Sequence, residues 1–228
     1  SVGGPLLELA AQQGFGFLPL RGERDEQHEF GLTIPVLGWT AEITQFRTAA
    51  KNFFDHDVLG NSNIFFPVTL NRARIRGWEV ALRSPQLFGN TSVHVAYSRQ
   101  TVQGQGGVTG GLTDFEPPEG NGLYFLDHDQ RHTLSSVISV SLPRHAWASG
   151  TVSYGSGFLD GDGPGHLPSH ATVNLSFGKT FGEFLTLRIT GLNIANGRYL
   201  IDNSNTFGGT HWANPRRIMA EVKYRFRY

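Results

Sequence analysis

Ile218-Met219-Ala220-Glu221-Val222-Lys223-Tyr224-Arg225-Phe226-Arg227-Tyr228, the last stretch of the sequence, alternates with a period of two. The even positions Ile218, Ala220, Val222, Tyr224, Phe226 and Tyr228 are apolar or aromatic. The odd positions are Met219, Glu221, Lys223, Arg225 and Arg227. In a β-strand successive side chains point to opposite faces. One face is therefore apolar and ends in three aromatics, while the other carries four charges and must be wet. Two environments fit this stretch alone: lipid against a water-filled lumen, or a protein core against solvent.

Working outward, the same design recurs. Ala171, Val173, Leu175 and Phe177 alternate with Thr172, Asn174 and Ser176, and Leu185, Leu187 and Ile189 with Thr186 and Arg188. Similar alternation marks Trp147–Gly155, Ser92–Ser98 and His28–Ile34. Along 72–83 the even positions change from Arg72, Arg74 and Arg76 to Trp78, Val80 and Leu82. That change fits a strand leaving an apolar layer for water, and Gly77 allows a bulge. Helical periodicity is confined to 5–13, where one short helix is expected. The expected fold is all-β: nine antiparallel strands in up-and-down order, with Phe15–Leu20 as a tenth.

Connections alternate in length. Short ones are expected at Leu37-Gly38, 84–90, 143–145 and 180–183, and long ones at 57–63, 104–127, 160–168 and 196–215. Short turns at one end and long loops at the other mark a transmembrane β-barrel, and a soluble sandwich has no reason to keep them. Aromatics gather near both sets of strand ends. Trp39, Trp147, Phe181, Phe184, Phe226 and Tyr228 lie by the short turns, and Phe65, Phe66, Tyr124, Phe125, Phe158 and Tyr199 lie towards the loops, as two interfacial girdles would require. Only 39 % of residues are hydrophobic, which suits a membrane chain only if apolar residues take alternate positions. No apolar run approaches the ~18 residues of a spanning helix. The formal charge is zero, which removes the basic field expected of a nucleic-acid binder. With no cysteine, disulfides, Cys-ligated zinc and a Cys nucleophile are excluded.

Four motifs in order resemble TonB-dependent outer-membrane receptors. Asn71-Arg-Ala-Arg-Ile-Arg-Gly77-Trp-Glu79 resembles the family's "N…GxE" strand, and Asp127-His-Asp-Gln-Arg-His-Thr133 a segment leading into a later strand. Gly191-Leu-Asn-Ile-Ala-Asn196 resembles its "NLxN" signature, and Asn214-Pro-Arg-Arg217 the "PR" that precedes its terminal strand. The resemblance implies a barrel of ~22 strands closed by a plug. Residues 23–228 would then be an incomplete, C-terminal barrel segment, after a loop or partial strand at 1–22. The implied role is energy-coupled ligand uptake across the outer membrane of a Gram-negative-type bacterium. Implied partners are membrane lipid, the remaining barrel strands and plug, the barrel-assembly machinery, and the energy-coupling protein acting through the plug. Tyr224, Phe226 and Tyr228 would serve as assembly signal and aromatic belt.

Other readings stay open from the residues themselves: a small passive pore or adhesin barrel, or a soluble carbohydrate-binding sandwich. No cofactor or metal is expected. Asp55-His56-Asp57 and Asp127-His128-Asp129 contain metal-binding residue types but read as polar strand rims. Asp160-Gly-Asp-Gly163 begins like a calcium loop, yet Pro164 and Ala171 stand at its fifth and twelfth positions. Gly155-Ser156-Gly157 falls short of a nucleophile elbow, so no enzyme is expected. Arg188, Lys223, Arg225 and Arg227 should face the polar side, paired with carboxylates such as Glu79 and Glu221. Val173, Leu175, Phe177, Leu187, Ile189, Val222 and Tyr224 should face lipid, with Val222 near mid-membrane.

Overall fold

The computed structural model describes residues 17–58, 65–112, 122–127, 129–161, 163–203 and 210–226, and all of its helix-or-strand structure is strand. The strands are β1 (Phe17–Leu18), β2 (Arg24–Val36), β3 (Trp39–Val58), β4 (Phe65–Arg83), β5 (Thr91–Leu112), β6 (Leu123–Phe125), β7 (His132–Leu142), β8 (Ala146–Gly155), β9 (His170–Phe181), β10 (Leu185–Leu192), β11 (Leu200–Asp202), β12 (His211–Trp212) and β13 (Arg217–Tyr224). Nine of them form one antiparallel path, β2-β3-β4-β5-β7-β8-β9-β10-β13, in which each strand pairs with the next along the chain. β2 and β13 are its two ends and do not pair with each other. The nine expected strands are these nine. β11 and β12 form a separate two-stranded pair, so among the described residues there is no second large sheet of the kind a sandwich would pack against the first.

The short connections are tight because each uses residues in the left-handed region. Leu37 and Gly38 have φ of 50° and 82°, Phe88 and Gly89 52° and 75°, Arg144 and His145 60° and 57°, and Gly182 57°. A two-residue turn with both φ positive matches the twist of its flanking strands.

Three expectations need correction. Within Phe15–Leu20, expected as a tenth strand, Phe17 and Leu18 do form a strand of the sheet, but it does not lengthen the nine-strand path: they pair with Leu112 and Gly111 at the far end of β5. The segment 104–127 is not one loop, because β5 continues to Leu112 and β6 folds back against Gln103–Gln105. Between Val58 and Phe65 the connection is no longer than 84–90; there the strands themselves are long. The helix expected at 5–13 lies outside the described residues.

β5 shows how so long a strand is held. β4 covers one edge up to Gly110. On the other edge β7 stops at the pair Arg99–His132, β6 takes Gln103–Gln105, and β1 takes the end. Between β7 and β6 the side chain of Asp129 accepts the Val102 N–H at 2.8 Å, so the backbone donor there is not stranded.

Candidate functional site

Residues directly opposite in an antiparallel ladder share a face, so register alone sorts the side chains. Leu187 and Ile189 face Val222 and Ala220 on one side and Lys179 and Phe177 on the other. Phe177 continues through Ala148 to Val140, and Leu175 through Gly150 to Ile138. Further along, Val93, Val95 and Tyr97 meet Leu82, Val80, Ile43, Leu32 and Ile34. This apolar face is open: Ile218, Val222 and Ile189 are 73 %, 68 % and 57 % exposed. Small residues Ala148, Gly150 and Gly191 sit among Ile138, Leu175, Ile189 and Ile218. They leave an apolar groove of about 760 Å³. Every residue expected to face lipid lies on this side. Val222, however, is level with Lys179 and two residues from the turn-side Tyr224, so it is not near the middle of the belt. The ammonium of Lys179 lies 4.9 Å from the Phe181 ring, as expected of a cation at the border of an apolar layer.

The opposite face is polar and laddered. Arg188 donates to Glu221 at 2.6 Å and Arg83 to Glu42 at 3.3 Å. The hydroxyls of Ser176 and Thr190, and of Thr180 and Thr186, share hydrogen bonds of 3.1 Å. Thr172, Asn174 and Lys223 also lie here by register. Trp147 belongs to this face, not to the outer girdle expected of it. Its indole occupies the space where a Cβ on Gly178 would fall, within 2.5–2.7 Å. Gly77 of the first motif is bare for a similar reason, with the Phe46 ring 2.6 Å from a Cβ there.

The remaining motifs tie down the long-loop end. Asp129 has a fully buried side chain that accepts the Val102 N–H and hydrogen-bonds His166 Nε2 at 2.8 Å, with the Arg131 guanidinium beside it at an ion-pair distance of 3.5 Å. This places its carboxylate as a clamp between β5 and the 156–169 connection. Asn193, at φ 46°, donates from Nδ2 to the carbonyls of Gly197 and Asn214 at 2.9 and 3.0 Å, and its Oδ1 accepts the Gly197 N–H. Asn196 Oδ1 accepts the Arg216 N–H at 3.0 Å. The "NLxN" pair thus docks Asn214-Pro215-Arg216 beside the start of β13. Above the belt, Leu70, Val102 and Leu126 form a small core with Phe53, Ile75, Val108 and Tyr124 packed on it. Tyr124 covers Gly104 and donates to the Gly106 carbonyl at 3.0 Å. Burial, with Asp55's charge second, pushes its hydroxyl up to about 12.

Tyr224 and Phe226 pack edge to face with centroids 4.8 Å apart, and Tyr228 lies outside the described residues, as do His128 and Asp162. Among the described residues no cluster of three or more His, Asp or Glu is arranged to hold a metal. Ser156 accepts the His132 N–H at 3.0 Å, a role in joining β7 to the 156–169 connection. Sequence reading missed Asp129, Asn193 and Trp147 as structural determinants. The first two lie in the motifs Asp127–Thr133 and Gly191–Asn196, which carried the family resemblance without showing what each residue holds.

Among solved structures, the ferric-catecholate import receptor Fiu from E. coli K12 is 13 % identical, with a TM-score of 0.63 over 91 % of this chain and 28 % of its own. The copper transporter OprC is 14 % identical, with a TM-score of 0.65 over 91 % of this chain and 32 % of its own. The ferric yersiniabactin uptake receptor FyuA from Yersinia pestis is 16 % identical, with a TM-score of 0.65 over 90 % of this chain and 30 % of its own. The chain therefore spans about a third or less of each neighbour's length. No curated protein matches it. A family model described as TonB dependent receptor-like, beta-barrel matches residues 4–194. With that match over most of its length, and with an open antiparallel sheet that is apolar on one face and polar on the other, the chain belongs to the TonB-dependent receptor-like β-barrel family.

Proposed function

We propose that residues 23–228 are the C-terminal part of an outer-membrane barrel that takes up a ligand by energy coupling. The apolar face would contact lipid and the laddered polar face would line a hydrated lumen. The observation that carries this is the pair of open ends. Among the described residues, β2 and β13 each leave a row of backbone N–H and C=O groups without a partner strand, which lipid cannot satisfy. Further strands of the parent receptor would pair with them, and a plug would fill the lumen and engage the energy-coupling protein. Ferric chelates and copper, the cargoes named for the neighbours, are the first ligands to assay.

The intact receptor should fractionate with the outer membrane and migrate faster unheated than heated on a gel. Its ligand should accumulate in cells that have the energy-coupling protein and not in cells that lack it. Accumulation in both would sink active uptake and favour a passive pore. For the terminal aromatics Tyr224, Phe226 and Tyr228, the reading is an assembly signal handed to the barrel-assembly machinery, with the first two at the turn-side interface. Deleting Tyr228 should lower the receptor's abundance in the outer membrane while leaving ligand affinity of the remainder unchanged. Unaltered abundance would remove the assembly role.

A further inference from the structure

The apolar face of β2–β5 changes character along one line. Phe30, Gln45, Trp78 and Arg99 are direct neighbours across the four strands, with Leu32, Ile43, Val80 and Tyr97 in the next row towards the short turns. In the other direction the same face presents Arg47 opposite Arg76, then Arg74, then Arg24, Lys51 and Arg72 in one row. Together with Arg99 this makes seven cations on one face. None of them forms an ion pair with a described residue, whereas Arg83 and Arg188 on the other face are both paired. Glu26 is the carboxylate that the β2–β3 ladder sets among these cations, opposite Ala49 and two residues from Arg24. It is engaged by His28 at 2.8 Å, and His28, then Arg47 and Lys51, hold it below the usual carboxylate range.

Like charges set directly opposite across a ladder destabilise it, so the pairs Arg47–Arg76 and Lys51–Arg72 call for an external anion. Arg24, Arg47, Lys51, Arg72 and Arg74 border one open groove of about 640 Å³, with the carboxylates of Asp25 and Glu26 at its β2 side, so cations outnumber anions five to two around it. Guanidinium groups suit phosphate, which they bind through two parallel hydrogen bonds. A free anion would use only this groove. A lipid would use the groove and the adjoining apolar rows together, and the two surfaces are continuous along the same strands.

We propose that this patch seats the phosphorylated headgroup of an anionic lipid in the outer leaflet, with its acyl chains against Phe30, Leu32, Ile43 and Trp78. The proposal rests on the outer-membrane reading above. The intact receptor containing this chain, in detergent, is offered a bis-phosphorylated glycolipid and its dephosphorylated counterpart, and retained lipid is counted by native mass spectrometry. The phosphorylated lipid should be retained about tenfold better. The exposed pair Arg47→Gln with Arg76→Gln should abolish most of that preference, and Lys223→Gln on the opposite face should keep it. Excess inorganic phosphate should fail to displace the lipid; ready displacement would mark a free-phosphate site and overturn the lipid assignment. Equal retention of both lipids, or full preference in the double variant, would also overturn it. A nitroxide on Ile43→Cys separates the two readings. If oxygen relaxes the label and water-soluble reagents do not, a failure belongs to the lipid site alone; a water-exposed label takes down the outer-membrane reading with it.

Discussion

β3, β4 and β5 are 20, 19 and 22 residues long, whereas β8, β10 and β13 are 10, 8 and 8. A tilted strand crosses a hydrocarbon layer in ~9–11 residues, so the second group amounts to the belt and little more. The first carries about as much sheet again above it. The two regions meet the same requirement beyond the belt in opposite ways. Where the strands continue, backbone groups stay paired by the ladder, and the fold supplies an apolar filling of Leu70, Val102, Leu126 and Tyr124. Where the strands stop, the chain turns back through 156–169 and 193–216. Side chains then take over the hydrogen bonding, with Asp129 clamping the first connection and Asn193 and Asn196 the second. Rim stability therefore depends on packing volume on one side and on a few polar groups on the other.

That contrast is open to test. Leu70→Ala removes a side chain that is 2 % exposed and should cost about 2–5 kcal/mol. In hydrogen exchange the loss should be confined to the upper parts of β4 and β5; protection lost equally around 193–216 would break the division. Ile189→Arg puts a charge on the belt face between Phe177 and Ala220, at a cost of about 2–4 kcal/mol near the midplane. Refolding into liposomes followed by denaturant titration of the intact receptor would read it. Asn193→Ala leaves two carbonyls and one N–H without their partner and should cost roughly 2 kcal/mol. Its exchange signature should appear at 193–216 and spare β4 and β5. Val222→Arg sits level with Lys179, near the turn-side border, and should cost only about 0–1 kcal/mol. A penalty as large as that of Ile189→Arg would mean that the belt extends further towards the turns than Lys179 implies.

Much of the sheet was legible because one face of each strand is apolar and the period of two is then enforced residue by residue. Ala171–Phe177 and Ile218–Tyr224 show it most plainly. The upper end of β5 was not legible, and composition explains why. Gly104, Gly106, Gly110 and Gly111 read as loop, yet each is bare to admit a neighbour. Tyr124 lies over Gly104, the Asn71 side chain over Gly106, and the Pro19 and Pro67 carbonyls over Gly110 and Gly111. Trp147 was misplaced because proximity to a turn fixes height along a strand and says nothing about face; register with Gly178 decides that. The clamps at Asp129 and Asn193 join segments far apart in sequence, so no local pattern reveals them. The basic run Arg72-Arg74-Arg76 was visible from the start. Its neighbours Arg24, Arg47 and Lys51 joined it only once the ladders were aligned.

Pairing of each strand with its successor has a kinetic corollary. Such a sheet has low contact order: every main junction closes a loop of modest length, and chain entropy is lost in small instalments. The sheet can grow like a zipper, one hairpin at a time. The exception is the pairing of Phe17 and Leu18 with Leu112 and Gly111, which cannot form until β2 to β5 have all been laid down between them. That seal should be the last contact made and the first lost, and the backbone of Gly111 and Leu112 should exchange its hydrogens long before the rest of β5.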